Sequence, residues 1–424
     1  RRRNLYKPGN ADDRPMNYPA VERIAGRLPV AVFTALPIVG LVAGPAFAPL
    51  IFGLGIVQLV HLLLARRALS APDPVLLWLA CAFAGLCWVA VIWSIVPDRS
   101  WRGALQITGI FAASIIVLGN RLPSEHTADL LFRSMEIAFA LGAVMIALDA
   151  WTGYHLQALL AACKDTPATK YSRGADYLVL IAWPLLARAS SRREWLGVLL
   201  LSVSAICVLA LAPSATGRLA ALVGAAVLGA SFLSRRIASS CLVAGTAVLA
   251  VFTPLLLRAL AENRSLIATH LLLTSHLHVS GLHRLEIWDY MSARVLERPI
   301  LGWGLWSSKF VPIRPDELSQ YVYADAHGIY PHNQWLQLWL ETGAIGVALA
   351  LTLALVALAR IRKSFTPHFQ PFGYAAFASA LTVSLANFEI TTDSWWAALV
   401  ASAYLFAVLA LPPVHPSQAG RCLA

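Results

Sequence analysis

Apolar residues in this chain come in long runs, without the strict alternation of a strand or the single stripe of a soluble helix. Windows near 28–46, 49–65, 74–96, 103–119, 131–150, 175–189, 195–212, 217–233, 238–258, 334–359, 371–387 and 394–411 carry almost no charge. Each is roughly 16 to 26 residues long, enough to cross or nearly cross a bilayer as a helix. Backbone groups in lipid must pair within their own segment, so the runs predict helices. The pattern predicts an all-α polytopic membrane protein with about twelve spans. Pro45 and Pro49 interrupt the first pair of windows, where one re-entrant hairpin is the alternative to two spans.

Composition sharpens this picture. The 424 residues are 58% hydrophobic and 13% charged, about half the charged share of an ordinary soluble domain. The mean hydropathy is +0.66. The net charge of +11 follows topology. Arginine and lysine crowd the first 27 residues and then every second connection: Arg66–Arg67, Arg121 with Arg133, Arg188 with Arg192–Arg193, Arg235–Arg236, and Arg360 with Arg362–Lys363. Basic loops stay in the cytoplasm. Both termini are therefore expected inside, and connections 97–102, 151–174, 213–216, 259–333 and 388–393 outside. The basic charge forms no soluble face for nucleic acid.

The organisation expected is a cytoplasmic tail (1–27), nine spans (28–258), a long external loop (259–333), three spans (334–411) and a second tail (412–424). No cleavable signal peptide is apparent, and Met16 is a candidate start. Cys81, Cys87, Cys207 and Cys241 fall in spans, Cys163 in an external connection and Cys422 in the tail. No CxxC pair suggests zinc or redox chemistry.

The loop breaks the regularity, because connections that long are uncommon without a function. It holds six of the eleven histidines: His270, His276, His278, His283, His327 and His332. His276-x-His278 lacks an evident third ligand, so a metal site is not expected. The stretch GLHRLEIWDYMSARVLERP repeats Leu285, Trp288, Met291 and Val295 at helical spacing and ends at Pro299. ILGWGLW follows, with Gly302 and Gly304 marking a turn around Trp303, an aromatic suited to the membrane interface.

Polar groups beside spans are costly and tend to be functional. Four places qualify. Lys170 and Arg173 precede the sixth span. Arg218 lies in PSATGR, at a helix N-terminus whose dipole disfavours a cation unless an anion relieves it. Arg284 lies on the loop helix with Glu286, Trp288 and Asp289. Finally, YPHNQWLQLWLETGAIG places Asn333, Gln337 and Glu341 on one helix face below His332, with Trp335 and Trp339 on another. A stripe of that kind must face protein or a wet cavity.

The order Arg284-x-x-x-Trp288, Pro299-Ile-Leu-Gly302-Trp-Gly304, His332-Asn333 and Glu341-x-Gly343-x-x-Gly346 resembles the O-antigen ligase and O-antigen polymerase superfamily. About 70 residues carry the likeness closely; Thr216-Gly217-Arg218 and the topology extend it loosely. The resemblance implies a GT-C-like glycosyltransferase of the bacterial inner membrane. Such an enzyme takes glycan from undecaprenyl pyrophosphate on the periplasmic face. Its acceptor is the lipid A–core or a second lipid-linked repeat unit. It also implies His332 and Arg284 as catalytic groups, with Arg218, Arg173 and Lys170 on the pyrophosphate. Asn333, Gln337, Glu341 and Trp288 would support them. No cofactor is implied, and no Asp-x-Asp pair stands ready for Mg²⁺ on the outside, which agrees with a metal-independent transfer. Ligase is the favoured reading. Polymerase, protein O-oligosaccharyltransferase, and transporter or flippase are its alternatives, separated by the acceptor or by whether His332→Ala abolishes glycan joining.

Overall fold

The structure, a computed structural model, describes residues 19–64, 73–119, 124–160, 170–263, 275–312, 314 and 331–410. Among these the regular elements are all helical. They run α1 (Pro19–Val42), α2 (Phe47–Leu64), α3 (Pro74–Val89), α4 (Pro97–Gly119), α5 (Glu125–Trp151) and α6 (His155–Leu160). Then come α7 (Lys170–Ser191), α8 (Trp195–Leu211), α9 (Ala215–Leu233), α10 (Arg235–Glu262) and α11 (Ser275–Glu297). The chain closes with α12 (Gln334–Ser364), α13 (Gln370–Ala386) and α14 (Asp393–Ala410), and short 3₁₀ turns join some of them.

Every apolar window of the sequence is occupied by a helix. Among the described residues eight helical segments are long and apolar enough to cross a membrane, and Arg27–Val42 and Trp195–Leu211 are shorter apolar helices. The outer face of α8 shows why such segments need lipid: Leu196, Leu199, Leu200, Val203 and Ile206 all stay exposed. Lipid tails satisfy these side chains as well as protein would.

The helix α7 is the exception that matters. It opens with Lys170, Arg173 and Asp176, and it packs against α1, α5, α8, α9, α13 and α14. Protein surrounds it nearly throughout, so polar side chains there meet partners instead of hydrocarbon.

The connections sort into two ends of the bundle. At one end, Trp93 Nε1 donates to the Leu301 carbonyl (3.1 Å), Ile95 N to the Trp303 carbonyl (3.2 Å) and Ser100 Oγ to the Leu305 carbonyl (2.5 Å). Tyr154 donates to Leu211 O (3.2 Å) and Gln106 to Thr391 O (2.9 Å) at the same end. The basic connections collect at the other. Arg360 pairs with Asp73 at 2.6 Å, and Arg235 donates to the Pro367 carbonyl at 3.0 Å. Buried Arg188 meets Glu136 (3.0 Å) and Glu194 (3.1 Å) there.

Two expectations are corrected. Connection 97–102 is the first turn and a half of α4, because Pro97 suits a helix start. Trp303 is not at an interface. It is buried at 6% exposure with Ile287, Tyr290 and Leu340, and its Nε1 donates to the Arg294 carbonyl at 2.9 Å. Trp335 and Trp339 also pack inward; Trp339 Nε1 donates to the Ala250 carbonyl of α10 at 2.8 Å. In Trp303 and Trp339 a backbone carbonyl satisfies the indole, which removes the reason for an interfacial position.

Candidate functional site

The site forms where α7, α9, α11, α12 and α13 meet, at the end of the bundle that gathers the loop. Its centre is His332. The residue is half-buried and has φ 48°, a left-handed conformation that costs a non-glycine residue energy unless its surroundings enforce it. The neighbours do so. Trp288 Nε1 of α11 donates to the Pro331 carbonyl at 2.6 Å. On the other side, Asn333 Oδ1 caps α12 by accepting from Leu336 N at 3.0 Å. The His332 imidazole hydrogen-bonds the backbone of Asn387, just past α13.

His332 is strongly perturbed by its setting. Burial, first, and then the Arg284 guanidinium push its pKa down to about 4, with His283 and Arg173 adding to the effect and the Asn387 bond opposing it. Each cause acts against the charged imidazolium. At neutral pH the ring is therefore uncharged and able to accept a proton.

Arg284 donates from Nη1 to the Ala386 carbonyl at 2.9 Å, at the C-terminal end of α13 where a cation is favoured. Arg173 is exposed on α7 and faces His332 electrostatically. Arg218 is placed differently from the expectation. Its Nε and Nη2 donate to the carbonyls of Leu209 (3.0 Å) and Ala212 (3.2 Å), at the C-terminus of α8. The cost of a cation beginning α9 is thus met by a second helix end, and no anion is needed to relieve it. The side chain of Lys170, like His270, His276, His278 and His327, lies outside the described residues.

The polar stripe of α12 faces protein. Asn333 and Gln337 are each 2% exposed and Glu341 is 0%. Glu341 accepts from Trp306 N (2.9 Å), Ser308 N (3.4 Å), Ser308 Oγ (2.7 Å) and Gln337 Nε2 (3.0 Å). Gln337 Oε1 in turn accepts from Ile390 N at 2.9 Å. Gln337 and Glu341 tie the loop and the α13–α14 connection to α12.

The glycines of the motif explain how. Gly343 breaks α12 with φ 62° and ψ −163°, a region essentially closed to residues with a Cβ. The break frees backbone groups that the loop then takes up. Trp303 N donates to Leu340 O (2.8 Å), Gly304 N to Glu341 O (3.0 Å), and Ala344 N to Pro299 O (2.8 Å). At Gly302 a Cβ would lie 2.6 Å from the Glu341 carbonyl carbon. Residues 299–304 are therefore clipped into a gap in the helix, and the spacing Gly302, Gly304 and Gly343 records that clip.

Asp176 escaped the sequence reading. It is fully buried on α7. Its Oδ1 accepts from Ser214 Oγ at 2.5 Å, and its Oδ2 accepts from Asn387 Nδ2. The available signal was an acid one residue into an apolar run, but its partner Asn387 is 211 positions away.

Beside the site, α3, α4, α12, α13 and α14 form a partly open apolar pocket of about 270 Å³ lined by Phe83, Phe111, Trp335, Leu338 and Trp396. Gln334, two residues after His332, also lines it. Among the described residues no cluster of His, Cys, Asp and Glu is arranged to hold a metal ion.

A polytopic α-helical protein with an imidazole and arginines gathered at one end of its bundle is the class defined here. Comparison with known proteins narrows it. Residues 200–351 match the family described as O-Antigen ligase. A protein of Rickettsia bellii named provisionally as a polysaccharide ligase is 24% identical over 74% of this chain and 76% of its own length. One from Rickettsia typhi, named in the same way, is 24% identical over 74% and 75%. A third, from Rickettsia conorii, is 34% identical over 28% of this chain and 29% of its own. The superfamily read from the loop motifs is the one these matches support.

Proposed function

We propose that the protein transfers a glycan from undecaprenyl pyrophosphate to a sugar hydroxyl, with lipid A–core as the acceptor, at the periplasmic face of the bacterial inner membrane. The observation that carries this reading is His332. It is kept uncharged, held in a strained backbone, and flanked by Arg284 and Arg173 next to an apolar cavity. That combination suits a reaction in which an alcohol must lose a proton while a diphosphate leaves.

In the step envisaged, the acceptor oxygen attacks the anomeric carbon and the bond from that carbon to the diphosphate oxygen breaks. The hydroxyl proton passes to His332, and undecaprenyl diphosphate departs with the electron pair. Fixed guanidinium groups are most effective when already placed where charge develops. Arg284, anchored on Ala386, is such a group. Arg173 is the second, and Lys170 a third by its position in the chain. With two donors committed to α8, Arg218 contributes mainly by bracing α8 against α9. The apolar cavity suits part of a polyprenyl tail. Single displacement inverts the anomeric configuration.

The test uses purified protein, a synthetic undecaprenyl-pyrophosphate glycan and lipid A–core. Wild type should join the two with inversion, read by NMR of the linkage, and His332→Ala should not. Joining of two donor glycans in place of transfer to lipid A–core would move the protein to the polymerases. Equal product from His332→Ala would remove the proposed base.

A further inference from the structure

Both groups assigned to the chemistry rest on the same two residues. Arg284 holds the Ala386 carbonyl at 2.9 Å. His332 holds the backbone of Asn387. These residues end α13, and Asn387 leaves the helix with φ −140° and ψ −59°. Asn387 N still donates to the Val383 carbonyl at 3.0 Å, but the last carbonyls of the helix have no partner within it. Asp176 adds a side-chain hold, reaching from α7 to the Asn387 side-chain amide with one carboxylate oxygen. Its other oxygen takes the Ser214 hydroxyl, and Ser214 caps α9 through Gly217 N at 2.9 Å. The Arg284 guanidinium also faces the carboxylate electrostatically.

We propose that Asp176 is a positioning residue that sets the His332–Arg284 pair through Asn387. The proposal rests on the reading of His332 and Arg284 given above. A merely structural polar contact at this point needs no charge. Asparagine would serve Ser214 equally well, and a buried acid inside a membrane bundle is expensive. The Ser214 hydroxyl, the Asn387 amide and the Arg284 guanidinium together favour a carboxylate at this position. Asp176 balances Arg284 on one side while the shared backbone carries His332 on the other. The groups facing His332 are Arg284 and His283 from α11 and Arg173 from α7. All bear or can bear positive charge, and the Asp176 carboxylate supplies balancing negative charge on the Arg284 side.

The discriminating variants are Asp176→Asn and the exchange Asp176→Asn with Asn387→Asp. The first keeps an acceptor for Ser214 but sets an amide against an amide and removes the charge. The second restores a carboxylate–amide pair in reverse order. Two readouts apply to the full chain in detergent or nanodiscs. One is glycan transfer. The other needs no substrate: the pH dependence of carbethoxylation of His332, followed by mass spectrometry, which reports the neutral imidazole.

Asp176→Asn should fold, lower turnover at least tenfold with the apparent KM for the donor within about threefold, and move the His332 midpoint to lower pH. The exchange should recover both in large part. The proposal is overturned if Asp176→Asn matches wild type in both readouts. It is equally overturned if the exchange restores thermal stability but neither turnover nor the midpoint, because Asp176 is then scaffold only. A shifted midpoint in a protein that transfers no glycan at all would uphold the positioning and defeat the transferase reading, so the two failures are separable.

Discussion

At the residue scale, His332 shows how surroundings select chemistry. An ordinary histidine is half-charged near pH 6.5. Here burial and the Arg284 charge bring the value down to about 4. The folded protein therefore prefers the neutral ring, and a base in that form works until the pH falls far enough to protonate it. The acid limb of kcat/KM should consequently lie near pH 4, with a flat profile from neutrality down to about pH 5. A limb at pH 6.5 would mean that the free site does not suppress the charge. A bound diphosphate adds negative charge beside the ring, so the limb in kcat should sit at higher pH than that in kcat/KM. Replacing His332 by Ala should cost roughly 10² to 10⁴ in turnover, the usual worth of a general base. The same shift acts on stability. The unfolded chain binds a proton at His332 near its ordinary value and the folded chain does not, so this contribution is full above about pH 6.5 and lost as pH falls towards 4.

At the element scale, the broken helix α12 is the device that holds the loop. Its gap exists only because Gly343 adopts φ 62°. Gly343→Ala must either rebuild the helix and expel residues 299–304 or tolerate a conformation costing about 1–3 kcal/mol, with a clash against the Ile300 carbonyl besides. A lower melting temperature in detergent, with accelerated proteolysis between Arg298 and Phe310, is the expected outcome. Unchanged melting would show that the clip is dispensable. Glu341→Ala attacks the same clip from the side-chain direction. It strands the Trp306 and Ser308 amides, the Ser308 hydroxyl and the Gln337 amide in a buried place. Each unsatisfied donor costs about 1–3 kcal/mol, so this variant should melt at least as early as Gly343→Ala. If Glu341→Ala melts like wild type, water replaces the carboxylate and the loop is held by its backbone alone.

At the scale of the whole molecule, successive apolar helices put alternate connections at opposite ends, and the arginines gather at one of them. The basic end should face the cytoplasm. In a cysteine-free background, single cysteines at Pro213 and Thr392 should react with a membrane-impermeant maleimide on spheroplasts. Cysteines at Arg193 and Pro367 should react only after permeabilisation. The opposite pattern would turn His332 towards the cytoplasm and away from a periplasmic acceptor.

That the chain is all-helical and polytopic was legible in the sequence because a bilayer imposes a length and an apolarity on every span, and both are local properties. The order of the loop motifs was legible too, since glycines needed for a left-handed backbone cannot be replaced without strain. Which polar groups meet was decided only by tertiary structure. Nothing local to Arg218 tells that α8 supplies carbonyls to it, and nothing local to Asp176 points to Asn387. The stripe of Asn333, Gln337 and Glu341 could be read as facing something polar, yet only packing determined that the something is the loop itself. Spans are written residue by residue, whereas hydrogen-bond partners across a bundle depend on how separate helices dock.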